Sequence, residues 1–206
     1  MTPIAIPSDC ILKYWPNACD SKYNERVIQF IQNVKETGDP KYKRSKQLHK
    51  TKQAGVYHLG NAFEYRKECF SKSDIPDLFK ELQSIAEKLT GVKYDIVLFK
   101  VYQPGESLAN HQDVDGSNMN VCCFTFATSD SQLCKLAWYK YNGKRNSADK
   151  KVYSYSNPQC FTPDICSMWF MSGSTNSKYS HQVLANHTEV PGLRVSVSFR
   201  QGFSQE

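Results

Sequence analysis

The sequence lacks several features that would each assign it to a particular class of protein. Its eight cysteines include no Cys-x-x-Cys pair, which disfavours a zinc finger. The opening segment MTPIAIPSDC has no basic region followed by an apolar run, as a secretory signal would have. No stretch is apolar for the length of a bilayer, and no internal repeat is visible. We therefore expect a cytoplasmic or nuclear protein with reduced thiols.

The composition fits one compact domain with a basic surplus. The chain has 206 residues, 40% of them hydrophobic, and a net charge of +6. We expect a main domain over residues 51–206 and an N-terminal extension with a basic segment over residues 1–50. A basic excess favours a polyanionic partner such as nucleic acid, although a soluble enzyme can also be basic. We expect a monomer that does not bind membranes.

The first half of the sequence contains two helical patterns. Asn24–Val34 has apolar residues at helical spacing. A second apolar stripe follows a cap at Ser73 or Asp74 and stops at Gly91. Between these helices, the segment Tyr57–Tyr65 resembles a hairpin.

From residue 94 onward, short runs rich in β-branched and aromatic residues alternate with turns. Strands are predicted over 94–102, 120–128, 135–141, 150–156, 164–171, 181–185 and 193–201. Many short strands at this spacing are typical of a sandwich, barrel or jelly roll. The pattern predicts a mainly β (α+β) fold with the N-terminal helices packed on one sheet.

One tripeptide carries candidate metal ligands. In an extended chain, His111 and Asp113 project from the same face, so an imidazole and a carboxylate converge. His181 begins a later predicted strand and is the candidate third ligand. Two histidines and one carboxylate on one face of an octahedral ion leave three positions open for a chelating cosubstrate and dioxygen.

The last predicted strand suggests an anion site. Alternation places Arg194 and Arg200 on one face of the run RVSVSFR, together with Ser196 and Ser198. Two arginines on an inward face are costly unless an anion meets them, and guanidinium groups bind carboxylates in bidentate fashion. A dicarboxylate fits this pair. The alternative is an edge strand on which both arginines face solvent.

Taken together, these patterns resemble the AlkB family of nucleic-acid oxygenases over about residues 52–201. Tyr102-x-Pro-Gly-x5-His-x-Asp is similar to the family's stretch leading into the iron site. Phe170-Met171-x-Gly followed by His181-x-Val is similar to its distal-histidine region, and RVSVSFRQ is similar to its closing RxNxTxRQ signature. The resemblance implies a double-stranded β-helix, a jelly-roll-like core.

The resemblance also implies cofactors and roles. Fe(2+) would be bound by His111, Asp113 and His181, with 2-oxoglutarate and O2 as cosubstrates. The expected 2-oxoglutarate-binding residues are Tyr102, Arg194, Ser196 and Arg200. Arg194 would pair with the distal carboxylate, Arg200 would lie near the end next to the iron, and Tyr102 would donate its hydroxyl.

The implied activity is oxidative demethylation of N-alkylated bases in RNA or single-stranded DNA, releasing succinate, CO2 and formaldehyde. Ser196 replaces the common asparagine of the closing signature, which favours RNA, and Lys100 stands where some members have asparagine. Candidate substrate-binding residues are Asp115, Tyr57, Tyr65, Trp138, Lys43 and Arg44. The aromatic residues fit a core equally, Asp115 fits a turn, and the basic run fits a solvated loop.

Three other functions remain open at this point. The same chemistry could act on a protein side chain or a small molecule. A non-catalytic nucleic-acid-binding module could use the same fold, although such a module has no need of three converging ligands. A zinc hydrolase could use the same histidines and aspartate, but it would not require the arginine pair.

Overall fold

The computed structural model describes residues 12–37, 55–61, 63–65, 68–70, 72–113, 119–145, 151–153 and 158–201. Within these ranges, the α-helices are α1 (Lys22–Thr37), α2 (Asp77–Thr90) and α3 (Gly173–Lys178). The strands are β1 (Leu12–Trp15), β2 (Gly55–Gly60), β3 (Phe63–Tyr65), β4 (Glu68–Phe70), β5 (Ile96–Tyr102), β6 (Leu108–His111), β7 (Val121–Ala127), β8 (Leu136–Arg145), β9 (Lys151–Tyr153), β10 (Gln159–Phe161), β11 (Met168–Met171), β12 (Tyr179–Val183) and β13 (Arg194–Arg200).

Two antiparallel sheets form the body of the fold. The first has six strands in the order β1-β11-β7-β13-β5-β2. The second has five strands, with the order β10-β8-β12-β6 and with β9 paired to β8. Strands that are distant in sequence lie side by side in both sheets, as they do in jelly rolls. The predicted jelly-roll core is confirmed.

Helices α1 and α2 cover the outer face of the six-stranded sheet. Val195, Val197 and Phe199 of β13 are fully buried in one apolar cluster with residues of both helices, such as Ile31 and Phe79. The regular alternation of β13 directs its other side chains to the space between the sheets. The predicted packing of the N-terminal helices on one sheet is therefore confirmed.

The start of α2 differs from the sequence prediction. Pro76, not Ser73 or Asp74, occupies the N-cap position, and no side chain caps this end. The backbone of Ser73 instead exchanges hydrogen bonds of 2.9 and 3.1 Å with Gly60. The predicted stop is confirmed, because Gly91 takes the left-handed conformation with φ of 74° and donates to the Glu87 carbonyl.

The hairpin predicted over Tyr57–Tyr65 is wrong. β2 pairs with β5, and β3 pairs with β4. The chain leaves β2 at Gly60, whose φ is 95° and whose missing Cβ would lie 2.3 Å from the carbonyl oxygen of Asp95. Only glycine fits this close approach, so Gly60 marks the end of a strand rather than the centre of a hairpin.

The N-terminal region takes part in the same core. β1 pairs with β11 at the edge of the six-stranded sheet, and α1 buries Val27, Ile28, Ile31 and Val34. The boundary expected near residue 50 therefore does not separate residues 12–37 from the rest. Among the described helices, none combines the length and the apolar character that a membrane crossing requires.

Candidate functional site

The histidine and aspartate of the His-x-Asp tripeptide meet the later histidine between the two sheets. β6 ends at His111, and β12 pairs with it so that His181 lies directly opposite His111. Their ring centroids are 4.4 Å apart. Asp113 follows β6 after one residue and is 4% exposed. Strand pairing thus brings together three residues that lie up to seventy positions apart.

The three side chains form a candidate ligand set for one metal ion. Nε2 of His111 lies 3.8 Å from Oδ1 of Asp113, and Nε2 of His181 lies 3.7 Å from Oδ2. All three ligand atoms lie within 4.8 Å of one another. The Nδ1 atom of His111 lies 2.8 Å from the Ala109 carbonyl, which fixes the ring with Nε2 facing the centre.

The electrostatic environment keeps these ligands in the form that binds a metal. Burial lowers the pKa of His111, and the neighbouring His181 lowers it further. Burial also lowers the pKa of His181, to about 4. For Asp113, burial acts to raise the pKa, but the guanidinium of Arg200 and the two imidazoles outweigh it and the carboxyl pKa is lowered. Two neutral imidazoles and a carboxylate are therefore present at neutral pH.

Arg194 is a buried cation with free donors. It is 1% exposed, and its guanidinium carbon lies 4.9 Å from the centre of the Tyr102 ring. Among the residues that the structure describes, none is a hydrogen-bond partner of its Nε or Nη1 atom. An unpaired buried guanidinium is costly, and an anionic ligand is the usual remedy. The donor atoms and the chemistry of Arg194 thus fit one carboxylate of a dicarboxylate.

Arg200 lies at the metal end of the same strand. Its Nη2 atom donates to Oδ1 of Asp113, and its Nε has no partner within the described part of the chain. Lys100 lies on the neighbouring strand opposite Ser196, and burial lowers its pKa to about 8. The cavity lining thus holds two arginines and one lysine but a single carboxylate, that of Asp113. This surplus of positive charge suits an anionic ligand.

One cavity connects Asp113 and His181 with Arg194, Arg200 and Lys100. Its lining comes from both sheets and combines polar residues near β13 with an apolar wall. The lining residues are Lys100, Tyr102, Leu108, Asp113, Val121, Cys123, Leu136, Trp169, His181, Val183, Arg194, Ser196, Ser198 and Arg200. The expected cosubstrate-binding residues Tyr102, Arg194, Ser196 and Arg200 are all among them.

Two of the expected substrate-binding aromatics are packed in the interior. Trp138 is 4% exposed, stacks on Phe161 at 5.3 Å and lies 6.0 Å from the His181 ring. Tyr57 stacks on Phe99 at 4.6 Å, on the helix-covered face of the six-stranded sheet. Tyr57 therefore faces away from the cavity, and its placement argues against contact with a bound base. Trp138 packs behind a metal ligand.

The other expected substrate residues cannot be placed. Lys43, Arg44 and Asp115 lie outside the described residues. Tyr65 belongs to β3, but the position of its side chain is not described. Their roles in substrate binding stay predictions.

Sequence patterns missed three residues of this region. Trp169 lines the cavity, and its indole Nε1 is buried without a partner. The Asn176 side chain accepts a hydrogen bond from the backbone N–H of Asp113, and the Gln112 side chain donates one to the Asn176 carbonyl. Nothing in the local sequence marks them, because their partners lie more than sixty positions away. The sequence indicates only that Gln112 lies near the site, because it stands between His111 and Asp113.

Comparisons with solved structures agree on the fold. The structure of OsALKBH1 matches with a TM-score of 0.60 and 15% identity, covering 92% of this chain and 97% of that one. A prolyl-4-hydroxylase from Pseudomonas putida matches with a TM-score of 0.52 and 9% identity, covering 93% of each chain. The sequence matches no protein-family model and no curated protein. At these identities the likeness is one of fold, and the fold implied by the AlkB resemblance is confirmed.

Proposed function

We propose that this chain is an Fe(II)- and 2-oxoglutarate-dependent dioxygenase that demethylates N-alkylated bases in nucleic acid. The observation that supports it most is a single cavity whose lining includes Asp113 and His181, two of the three clustered ligands, together with Arg194. Among the described residues, Nε and Nη1 of Arg194 have no hydrogen-bond partner. Two histidines and one carboxylate with open positions are the ligand set of non-haem Fe(II) oxygenases. A zinc hydrolase would need the triad but would leave the buried arginine without an anion.

The three ligands would hold the iron, and the neighbouring residues prepare them for it. Bound iron would supply the activation of dioxygen that couples conversion of 2-oxoglutarate to succinate and CO2 with hydroxylation of a substrate C–H bond. When the hydroxylated carbon is a methyl group on a base nitrogen, the product breaks down to formaldehyde and the demethylated base. Because both imidazoles are already neutral, iron does not have to displace a proton from either.

Arg194 and Arg200 divide the work of binding an anion. Arg194 has two unpartnered donors at the end of the cavity away from the triad, so it would bind the distal carboxylate of 2-oxoglutarate. Arg200 donates to Asp113 and so holds the orientation of that carboxylate. Its free Nε is available to the cosubstrate end nearest the metal. Tyr102 lies under the Arg194 guanidinium and would add a hydroxyl donor.

The apolar wall of the cavity would exclude water. Leu136 and Val183 are buried side chains of the five-stranded sheet, and Leu108 packs against them from β6. Together with Val121 they face the polar residues of β13. Exclusion of water strengthens the electrostatic contacts of Arg194 with an anion and protects the reaction from side reactions.

Three observations support nucleic acid as the substrate. The sequence resembles the AlkB family, the fold matches that of OsALKBH1, and the net charge of +6 favours a polyanion. A base in a duplex cannot reach an enclosed cavity, so the substrate would be single-stranded or flipped out. Ser196 in the closing signature favours RNA over DNA.

A second candidate is an oxygenase that hydroxylates a protein or small-molecule substrate. The observation that favours it is the match to a prolyl-4-hydroxylase, which covers 93% of each chain. The triad and the arginine would serve that reaction equally well.

A substrate screen separates the two candidates. The full chain is incubated with Fe(II), 2-oxoglutarate and O2, together with methylated RNA, methylated single-stranded DNA or proline-containing peptides. We expect formaldehyde in a one-to-one ratio with succinate from a methylated oligonucleotide, and none with the His181→Ala variant. Peptide hydroxylation without oligonucleotide demethylation would contradict the proposal and favour the second candidate.

A further inference from the structure

The side chain of Asn176 holds the backbone of the metal carboxylate residue. Its Oδ1 accepts a hydrogen bond of 3.0 Å from the Asp113 N–H, and its Nδ2 donates a bond of 2.6 Å to the Asp113 carbonyl. Asn176 and Asp113 are 2% and 4% exposed. One amide thus satisfies both backbone groups of a buried residue that lies just beyond the end of β6, as a neighbouring strand would.

A bond in the opposite direction strengthens this connection. Gln112 Nε2 donates to the Asn176 carbonyl at 2.6 Å and approaches the Tyr179 carbonyl at 3.3 Å. The Gln112 side chain therefore binds the backbone of Asn176, and the Asn176 side chain binds the backbone of Asp113. The result is a cross-link between the His-x-Asp tripeptide and the chain that enters β12.

The short helix α3 connects this cross-link to the third ligand. Ser172 caps its N-terminus, where the Ser172 hydroxyl accepts from the Thr175 N–H, and the helix ends where β12 begins. His181 lies on β12 directly opposite His111. Asn176 thus belongs to the helix that leads into the strand of His181, and its side chain binds the backbone of Asp113.

We infer that Asn176 is a positioning residue of the metal centre, which sets the Asp113 carboxylate against His181 by binding both backbone groups of Asp113. This inference rests on the proposed function, because it concerns the same metal site. Asn176 does not line the cavity, so its effect on the metal passes through Asp113. Groups that orient metal ligands in this way commonly change metal affinity by about 10- to 100-fold when they are removed.

Two substitutions and one control separate positioning from general stability. Asn176→Ala removes both bonds to Asp113. Asn176→Leu also removes both bonds but keeps a side chain of similar size, so its effect on metal affinity should be similar. Ser174→Ala is the matched control, because Ser174 is an exposed polar residue of the same helix.

The experiment measures Mn(II) affinity of the full chain by titration, the visible spectrum of the Co(II)-loaded protein, and the thermal midpoint of the metal-free protein. We expect the dissociation constant for Mn(II) to rise by about 10- to 100-fold in both Asn176→Ala and Asn176→Leu. The Co(II) spectrum should change in both variants, and Ser174→Ala should match the wild type. A purely structural role would lower the thermal midpoint but leave the affinity and the spectrum of the folded protein unchanged.

Each outcome bears on a different claim. Mn(II) affinity in Asn176→Ala within twofold of the wild type would overturn the positioning role and leave the proposed function intact. Failure of the wild type to bind Mn(II) would contradict the proposed function itself. If Asn176→Ala does not fold, Asn176→Leu decides: weaker binding supports the inference, and wild-type affinity overturns it.

Discussion

The two faces of β13 show how one strand serves both the fold and the site. Val195, Val197 and Phe199 point towards the helices and are completely buried in apolar contacts. Arg194 and Arg200, on the other face, are equally buried but keep unpartnered donor atoms. The apolar side chains are fully packed by the protein itself, whereas the donor atoms of the polar face require a ligand to accept their hydrogen bonds. Substitutions on the two faces should therefore affect different properties.

The largest effect on stability is expected from the helix-covered face. Phe199→Ala should lower the free energy of unfolding by about 3–5 kcal/mol, because it leaves a cavity in a closely packed cluster. Urea denaturation followed by circular dichroism measures this change. The affinity of the remaining folded protein for 2-oxoglutarate should stay close to that of the wild type. A loss of affinity as large as the one expected for Arg194 would contradict the separation of the two faces.

The cavity face should show the reverse behaviour. Arg194→Met should weaken 2-oxoglutarate binding by about 2–3 kcal/mol, since charge-assisted bonds to a buried carboxylate are lost. Calorimetry on the Mn(II)-loaded protein measures this affinity. Stability without ligand should be unchanged or higher, because a buried unpaired charge is removed. Arg194→Lys is the control: it keeps the charge but lacks the bidentate fork, so it should recover little of the affinity.

Lys100 should make a smaller contribution to the same face. Lys100→Met should weaken 2-oxoglutarate binding by about 1 kcal/mol, the usual value of one hydrogen bond, because it removes one donor from the cavity lining. Lys100→Asn, which returns an amide donor, should lose less. Equal affinity in Lys100→Met and the wild type would show that Lys100 does not contact the cosubstrate.

The stability of the metal-free protein should also depend on pH. Burial lowers the pKa values of His58 and His181 to about 4, below the ordinary value of 6.5. Between pH 6.5 and pH 4 the unfolded chain binds protons that the folded chain does not bind, so stability should fall as the pH drops through this window. Urea midpoints at pH 7 and pH 5 check this prediction, and His58→Gln should reduce the drop. Constant stability between these pH values would contradict it.

The sequence predicted those features that depend on short-range periodicity. Alternation along one strand placed Arg194 and Arg200 on a common face, and the same rule placed His111 and Asp113 together. Helix α1 was predicted within its observed bounds because its apolar spacing is regular.

The sequence did not predict features that depend on distant pairing. β2 pairs with β5 rather than with β3, and Asn176 binds Asp113 across a separation of 63 positions. No local pattern encodes either contact. The side of the sheet on which Tyr57 lies also depends on the pairing of β2 with β5. This pairing places the Tyr57 ring on Phe99 and away from the cavity.

The most direct test of the central claim is production of succinate by the full chain. Fe(II) and 2-oxoglutarate are bound without oxygen, oxygen is then admitted, and succinate is quantified for the wild type and for His111→Ala. The triad and the arginine pair predict succinate that requires added iron and is lost in the variant. Absence of both iron binding and succinate in the wild type would contradict the oxygenase assignment and favour a non-catalytic binding module.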